Sequence, residues 1–307
     1  MTENQLPLPV ALARKRVGAI KDWWLLSRSN SLLWQVETES GRFVIKHLAD
    51  RSSDPLMEQR IGEWLTPDPL FRPIRWVESC ADGTFVVISD FIPGVSLDQV
   101  LETNAYTSAE AIRWGGQMHE MFVRLGELPA QSFGQPDING TGEAASWGAF
   151  WDSYLMRQRQ KAPQLAALRF DALYNAFKRI QRRLDHEIAQ PRLIPADVNS
   201  RNFLVTDPRR NLVFVNVPLV WHGDAAHPYG ESLVHLDQTP LLETLLSLAA
   251  YPAWRLHLYA ALNAYVILAY VERFGGQPVH LATPWGRKRP LLNLLDWHLE
   301  QVSVSLP

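Results

Sequence analysis

The stretch LLWQVETESGRFVIKHL, Leu32 to Leu48, decides how the rest of the chain is read. Two apolar runs, Leu32 to Glu37 and Arg42 to His47, flank the polar turn Thr38-Glu39-Ser40-Gly41. Strand-forming runs joined by a short turn containing glycine predict an antiparallel hairpin. Its second strand ends in Lys46. A strand holds a lysine ammonium at a fixed depth, where it can neutralise phosphate oxygens. Taken singly, a strand-end lysine reads more readily as a solvated one. Moving outward, Asp54 to Leu65 (DPLMEQRIGEWL) predicts a helix capped by Asp54 with Pro55 in its first turn. Leu70 to Val77 and Thr84 to Ile88 predict two more strands around the Asp82-Gly83 turn.

After Pro93-Gly94 the periodicity changes. Ser108 to Leu125 places Ala111, Ile112, Met118, Met121, Phe122 and Leu125 at helical spacing. Further helices are expected over residues 145–188, interrupted near Pro163, and again from Pro240 onward. Residues 193–217 revert to short apolar runs that read as an embedded strand pair. The expectation is an α+β chain: a sheet-rich lobe over residues 1–92 and a mainly helical lobe over 93–307, with a cleft between them. The apolar stretch Leu256 to Val271 contains His257, Asn263 and three tyrosines, so it reads as a buried helix, not a membrane span.

Composition narrows the partners. The chain has 307 residues, 47% hydrophobic and 20% charged, with 30 basic against 32 acidic side chains and a net charge of -2. That balance carries no electrostatic footprint for nucleic acid or an anionic membrane and favours a small-molecule or protein partner. Cys80 is the only cysteine, which points to a reducing cytosol and a cytoplasmic protein. In MTENQLPLPVALARKR the positive charges follow the apolar run, the reverse of a secretory signal.

The strongest chemical signal is LIPADVNSRNFLV, Leu193 to Val205. An Asp followed five residues later by an Asn, ahead of a strand-like FLV, lets the carboxylate reach an acceptor hydroxyl while the amide oxygen turns back toward a metal ion. Together with SRSNSLLWQVETESGRFVIKHL, this segment resembles the aminoglycoside, choline and fructosamine kinase type of phosphotransferase, a protein-kinase-like superfamily. WGGQMHEMF, with His119, and SFGQPDINGTG followed by SWGAFWDSYLMRQRQ extend the resemblance, the latter toward the fructosamine-kinase branch. It covers most of residues 22–240.

The resemblance implies ATP and Mg²⁺ as cofactors and phosphoryl transfer to a small-molecule hydroxyl. It implies Asp197 as catalytic base, Lys46 on the phosphates with Glu58 orienting it, and Ser29 and Asn30 in the nucleotide-covering loop. Glu63 is a second candidate for the orienting role. The metal positions are Asn202 and Asn216. Asn216, in Val215-Asn216-Val217, stands where the family places a carboxylate, and Gly223-Asp224 supports that register. Pro195-Ala196 replaces the family's His-Gly, and residues 27–31 contain no glycine. Losing one negative charge beside a dication is worth roughly 4 kcal/mol at an effective dielectric of about 20. Expressed fully in the transition state, that is about three orders of magnitude in rate. Two readings stay open, an enzyme and a pseudokinase of the same fold.

Other clusters read more plainly. Trp147, Trp151 and Tyr154 share one helix face, as core or as a wall of an acceptor pocket. His222, His227 and His235 with Asp224 and Asp237 match no zinc spacing and read as loop residues after the strand.

Overall fold

The structure, a computed structural model, describes residues 6–28, 32–48, 55–65, 68–137, 139–215, 220–276, 279–280 and 289–306. The chain divides into two compact units, residues 1–94 with 213–219, and residues 95–212 with 220–307.

The first unit is built on one antiparallel sheet. Helix α1 (Leu8–Val17) leads into β1 (Ile20–Arg28), β2 (Leu32–Thr38) and β3 (Arg42–Leu48). Helix α2 (Pro55–Leu65), β4 (Ile74–Ser79) and β5 (Phe85–Asp90) follow. The strand order is β1-β2-β3-β5-β4. The hairpin read from Leu32 to Leu48 is the centre of this sheet, with Leu33 paired to Lys46 and Lys46 to Val87. Its turn closes through the Thr38 N–H donating to Gly41 O at 2.9 Å.

Helix α1, which the periodicity did not announce, buries Val10, Ala13 and Val17 against Trp34, Val36, Phe43 and Ile45. Cys80 is buried in this same core. Helix α2 runs close over β4, because a Cβ on Gly62 would lie 2.9 Å from Ile74 Cβ. The segment from Val213 returns to this unit. Phe214 N–H donates to Leu70 O at 2.8 Å and Phe214 O accepts from Arg72 N–H at 3.1 Å, with the Phe71 and Phe214 rings 6.3 Å apart.

The second unit begins at Val95, within β6 (Gly94–Ser96), and continues with α3 (Leu97–Glu102) and α4 (Ser108–Gly126). A capping box starts α4: Thr107 accepts from Glu110 N–H, and the Glu110 carboxylate accepts from Thr107 N–H. Strands β7 (Phe133–Pro136) and β8 (Gly142–Ala144) precede α5 (Trp147–Lys161) and α6 (Gln164–Glu187), which break at Pro163 as the sequence predicts. Then come β9 (Arg192–Pro195), β10 (Phe203–Thr206) and β11 (Leu212–Phe214), whose last two residues belong to the first unit, and after it β12 (Val220–Gly223), α7 (His227–His235), α8 (Pro240–Ser247) and α9 (Ala253–Arg273). The short strands β13 (Val279–His280) and β14 (Arg289–Pro290) pair before α10 (Leu291–Ser305).

Two features differ from the sequence reading. The embedded strands are more than a pair, since β8-β7-β12-β9 form a four-stranded sheet. Strands of three or four residues are too short for alternation to register. His227 and His235 lie on α7, not on loops. Nearly every residue of α7 is buried, so it shows no polar face and no helical period. Gly230 makes that burial possible, because a Cβ there would meet Tyr259 Cβ of α9 at 2.5 Å. No helix among the described residues is long and apolar enough to cross a membrane.

Candidate active site

Asp197 follows the end of β9, and the loop it opens is closed by its own polar side chains. Asp197 Oδ1 accepts from Asn199 N–H at 3.0 Å. Asn199 Oδ1 accepts from Arg201 N–H at 3.0 Å, which caps the short 3-10 turn Ser200–Asn202. Asn202 N–H donates to Asn199 O at 2.8 Å. Asn202 Nδ2 then donates to Asp197 O at 3.0 Å, so the Asp-x4-Asn spacing is locked by a bond between its two ends. With Nδ2 committed to the backbone, the other arm of that amide is its oxygen. That is a hard neutral donor of the kind Mg²⁺ accepts.

Asp98 of α3 fastens the loop from outside it. Its Oδ1 accepts from Ser200 Oγ at 2.9 Å and its Oδ2 from Arg201 Nε at 3.1 Å. Sequence reasoning passed over Asp98, whose only local signal is a place in the first turn of α3 behind the Ser96 cap. The strands after the loop are tied to α4 through Arg210. Its carbonyl accepts from Trp114 Nε1 at 2.7 Å and from Arg113 Nη2 at 3.0 Å, and its Nε donates to Glu110 at 2.7 Å. Beside that guanidinium and the Thr107 N–H, the Glu110 carboxyl is pulled from 4.5 to about 2.

Behind Asp197 lies Glu231 of α7, 3% exposed. Burial, with the charge of Asp197 nearby, pushes its carboxyl up. His235, one helical turn on, places Nε2 3.5 Å from Glu231 Oε1. One donor atom from each of Asp197, Glu231 and His235 falls within 4.8 Å of the others.

The remaining sequence candidates divide clearly. Lys46 is half-buried in the central strand of the first unit. Glu58 lies on α2; its side chain, together with Ser29, Asn30 and Asn216, falls outside the described residues. Glu63 is exposed and accepts from Gln59 Nε2 at 2.9 Å on its own helix. Asp224 offers no free oxygen to a metal. Its Oδ1 accepts from Ala226 N–H at 3.0 Å and Arg255 Nη2 at 2.6 Å, and its Oδ2 from Arg255 Nε and Tyr259 Oη, both at 2.5 Å.

Trp147 and Trp151 are fully buried, and Trp147 Nε1 donates to Tyr259 Oη at 2.9 Å. Their face is core, with Phe150, Trp221 and His227 packed around it. His119 hydrogen-bonds Tyr229 Oη through Nδ1 at 2.9 Å.

The phosphotransferase enzyme family matches residues 26–215, well over half of the chain. The chain belongs to the phosphotransferase enzyme family. A search of curated proteins finds no significant match. Among solved structures, a thermostable mutant of the aminoglycoside phosphotransferase APH(4)-Ia, in a ternary complex with AMP-PNP and hygromycin B, superposes with a TM-score of 0.68 at 13% identity. The match covers 95% of this chain and 96% of that one. The microcompartment-associated aminopropanol kinase gives 0.59 at 16% identity, covering 95% and 93%. A protein assigned as a fructosamine-3-kinase, from Haemophilus somnus, gives 0.58 at 12%, covering 95% of both chains. These likenesses establish that this phosphotransferase-family chain has the protein-kinase-like α+β fold.

Proposed function

We propose that the chain transfers the γ-phosphoryl group of ATP to a hydroxyl of a small molecule, such as a sugar derivative, an amino alcohol or an aminoglycoside. The observation that carries this reading is the closed Asp197–Asn202 loop, whose ends are joined by the Asn202 Nδ2 to Asp197 O bond. Asp197 is the base that takes the acceptor's hydroxyl proton as the acceptor oxygen bonds to phosphorus and the bond to ADP breaks. Lys46 holds phosphate oxygens from the strand and Glu58 orients it, with Ser29 and Asn30 covering the nucleotide. Asn202 and Asn216 are the residues that would hold Mg²⁺, which when bound neutralises phosphate charge. The named relatives act on, or are bound to, small hydroxyl compounds, which supports the substrate class.

Asn216 and Pro195-Ala196 favour a second reading, nucleotide binding with little or no turnover. The test is thermal unfolding with millimolar ATP, with and without Mg²⁺, for wild type and Lys46→Ala. ADP release against a panel of hydroxyl compounds follows. Wild type should be stabilised by Mg²⁺-ATP and Lys46→Ala should not. Asp197→Asn should retain the stabilisation and lose turnover. Asn216→Asp should tighten Mg²⁺-ATP more than ATP alone. Absence of any thermal shift in wild type refutes nucleotide binding. A shift without turnover in both wild type and Asn216→Asp decides for the second reading.

A further inference from the structure

We propose that Asp197, Glu231 and His235 form a site for a borderline divalent transition-metal ion, of the Zn²⁺ class, separate from the Mg²⁺ position at Asn202. Three observations carry it. The donor atoms converge, each lying within 4.8 Å of the others, with His235 Nε2 and Glu231 Oε1 at 3.5 Å. Zinc bonds of about 2.0–2.1 Å place tetrahedral ligand atoms roughly 3.4 Å apart, so the Glu231–His235 spacing already fits an ion and a small rotation of Asp197 completes it.

The second observation is that Glu231 Oε2 is buried with no hydrogen-bond partner, in a residue only 3% exposed. A buried carboxylate oxygen beside a second carboxylate calls for a positive charge or a proton, because no protein donor among the described residues reaches it. The third is the donor chemistry. One imidazole with two carboxylates is the set that Zn²⁺, Co²⁺ and Mn²⁺ take, whereas Mg²⁺ avoids nitrogen.

The scaffold holds two of these groups close together. Glu231 and His235 sit one turn apart on the same face of α7, which Gly230 seats against α9. Three protein ligands leave a fourth position open, as in zinc sites that exchange a water. An ion there engages the carboxylate of Asp197. On the phosphotransferase reading, that removes the base and makes the ion an inhibitor. The site itself does not depend on that reading.

Binding is therefore measured on the full chain with no nucleotide or acceptor present. Isothermal titration with ZnCl₂ should show one ion per chain with micromolar or tighter affinity. His235→Ala and Glu231→Gln should each weaken binding tenfold or more. Zinc K-edge absorption of wild type should show a single imidazole among oxygen neighbours, and this measurement decides if either variant fails to fold. Wild-type affinity in both folded variants, an edge spectrum with no imidazole or with several, or no binding at millimolar zinc would each overturn the site. Zinc binding with the expected variants but no effect on ADP release leaves the site standing and counts against Asp197 as base.

Discussion

Replacing Glu110 by glutamine tests how the loop strands are held to α4. Glutamine keeps an acceptor for the Thr107 N–H and so preserves the capping box, but it removes the charge that Arg210 Nε meets at 2.7 Å. The displacement of the Glu110 carboxyl from 4.5 to about 2 would, undiscounted, correspond to about 3 kcal/mol. Solvent reaches the pair, with Arg210 35% and Glu110 18% exposed at their side chains. An ion pair so placed contributes about 1 kcal/mol, and the cap a further ~1 kcal/mol. Glu110→Gln should therefore cost about 1 kcal/mol at pH 7 and Glu110→Ala about 2. The folded carboxyl titrates below the unfolded one, so this stability is present in full above pH 4.5. It is lost as pH falls from 4.5 toward 2. Urea unfolding of wild type and Glu110→Gln at pH 7, 5, 4 and 3 reads it directly. A constant gap across that series, or no gap at pH 7, would refute the ionic account.

Three further outcomes follow from the same geometry. Trp147→Ala should destabilise by about 3–5 kcal/mol with little change in acceptor affinity per folded molecule, because the ring is core; chemical denaturation and acceptor titration check both halves. Asp98→Ala frees Ser200 and Arg201, and should lower kcat by about tenfold while leaving KM for ATP within about twofold, read in a steady-state ADP-release assay. Burial pushes His227 down to about 3, so it stays neutral in the fold while the unfolded chain protonates near 6.5. Its contribution holds above pH 6.5 and is lost toward pH 3, at up to ~1.4 kcal/mol per pH unit; His227→Phe should flatten that part of the stability profile.

The hairpin and the long helices were legible because each carries its own period. Alternation around Thr38-Glu39-Ser40-Gly41 and the three-four spacing from Ala111 to Leu125 need no distant partner to be recognised. The Asp197–Asn202 loop was legible for the same reason, since every bond that closes it falls within a few residues. Asp98 and Glu231 were not, because each meets the loop across a long sequence separation and neither belongs to a local pattern. Asp224 was legible only as a register mark and a loop residue; that Arg255 and Tyr259, supplied by a helix far along the chain, occupy both its oxygens has no local signal.

That occupancy orders events on the ribosome. Strand β12 and Asp224 are synthesised before Arg255 and Tyr259. Until α9 arrives, the nascent chain must keep the Asp224 carboxylate in water, because sealing it in without its guanidinium would cost several kcal/mol. Trp147 Nε1 waits on the same Tyr259 hydroxyl. The second unit thus cannot close its core from the front of the chain. Burial around β12 and Asp224 is deferred to α9, so this part of the core is sealed by late-made helices.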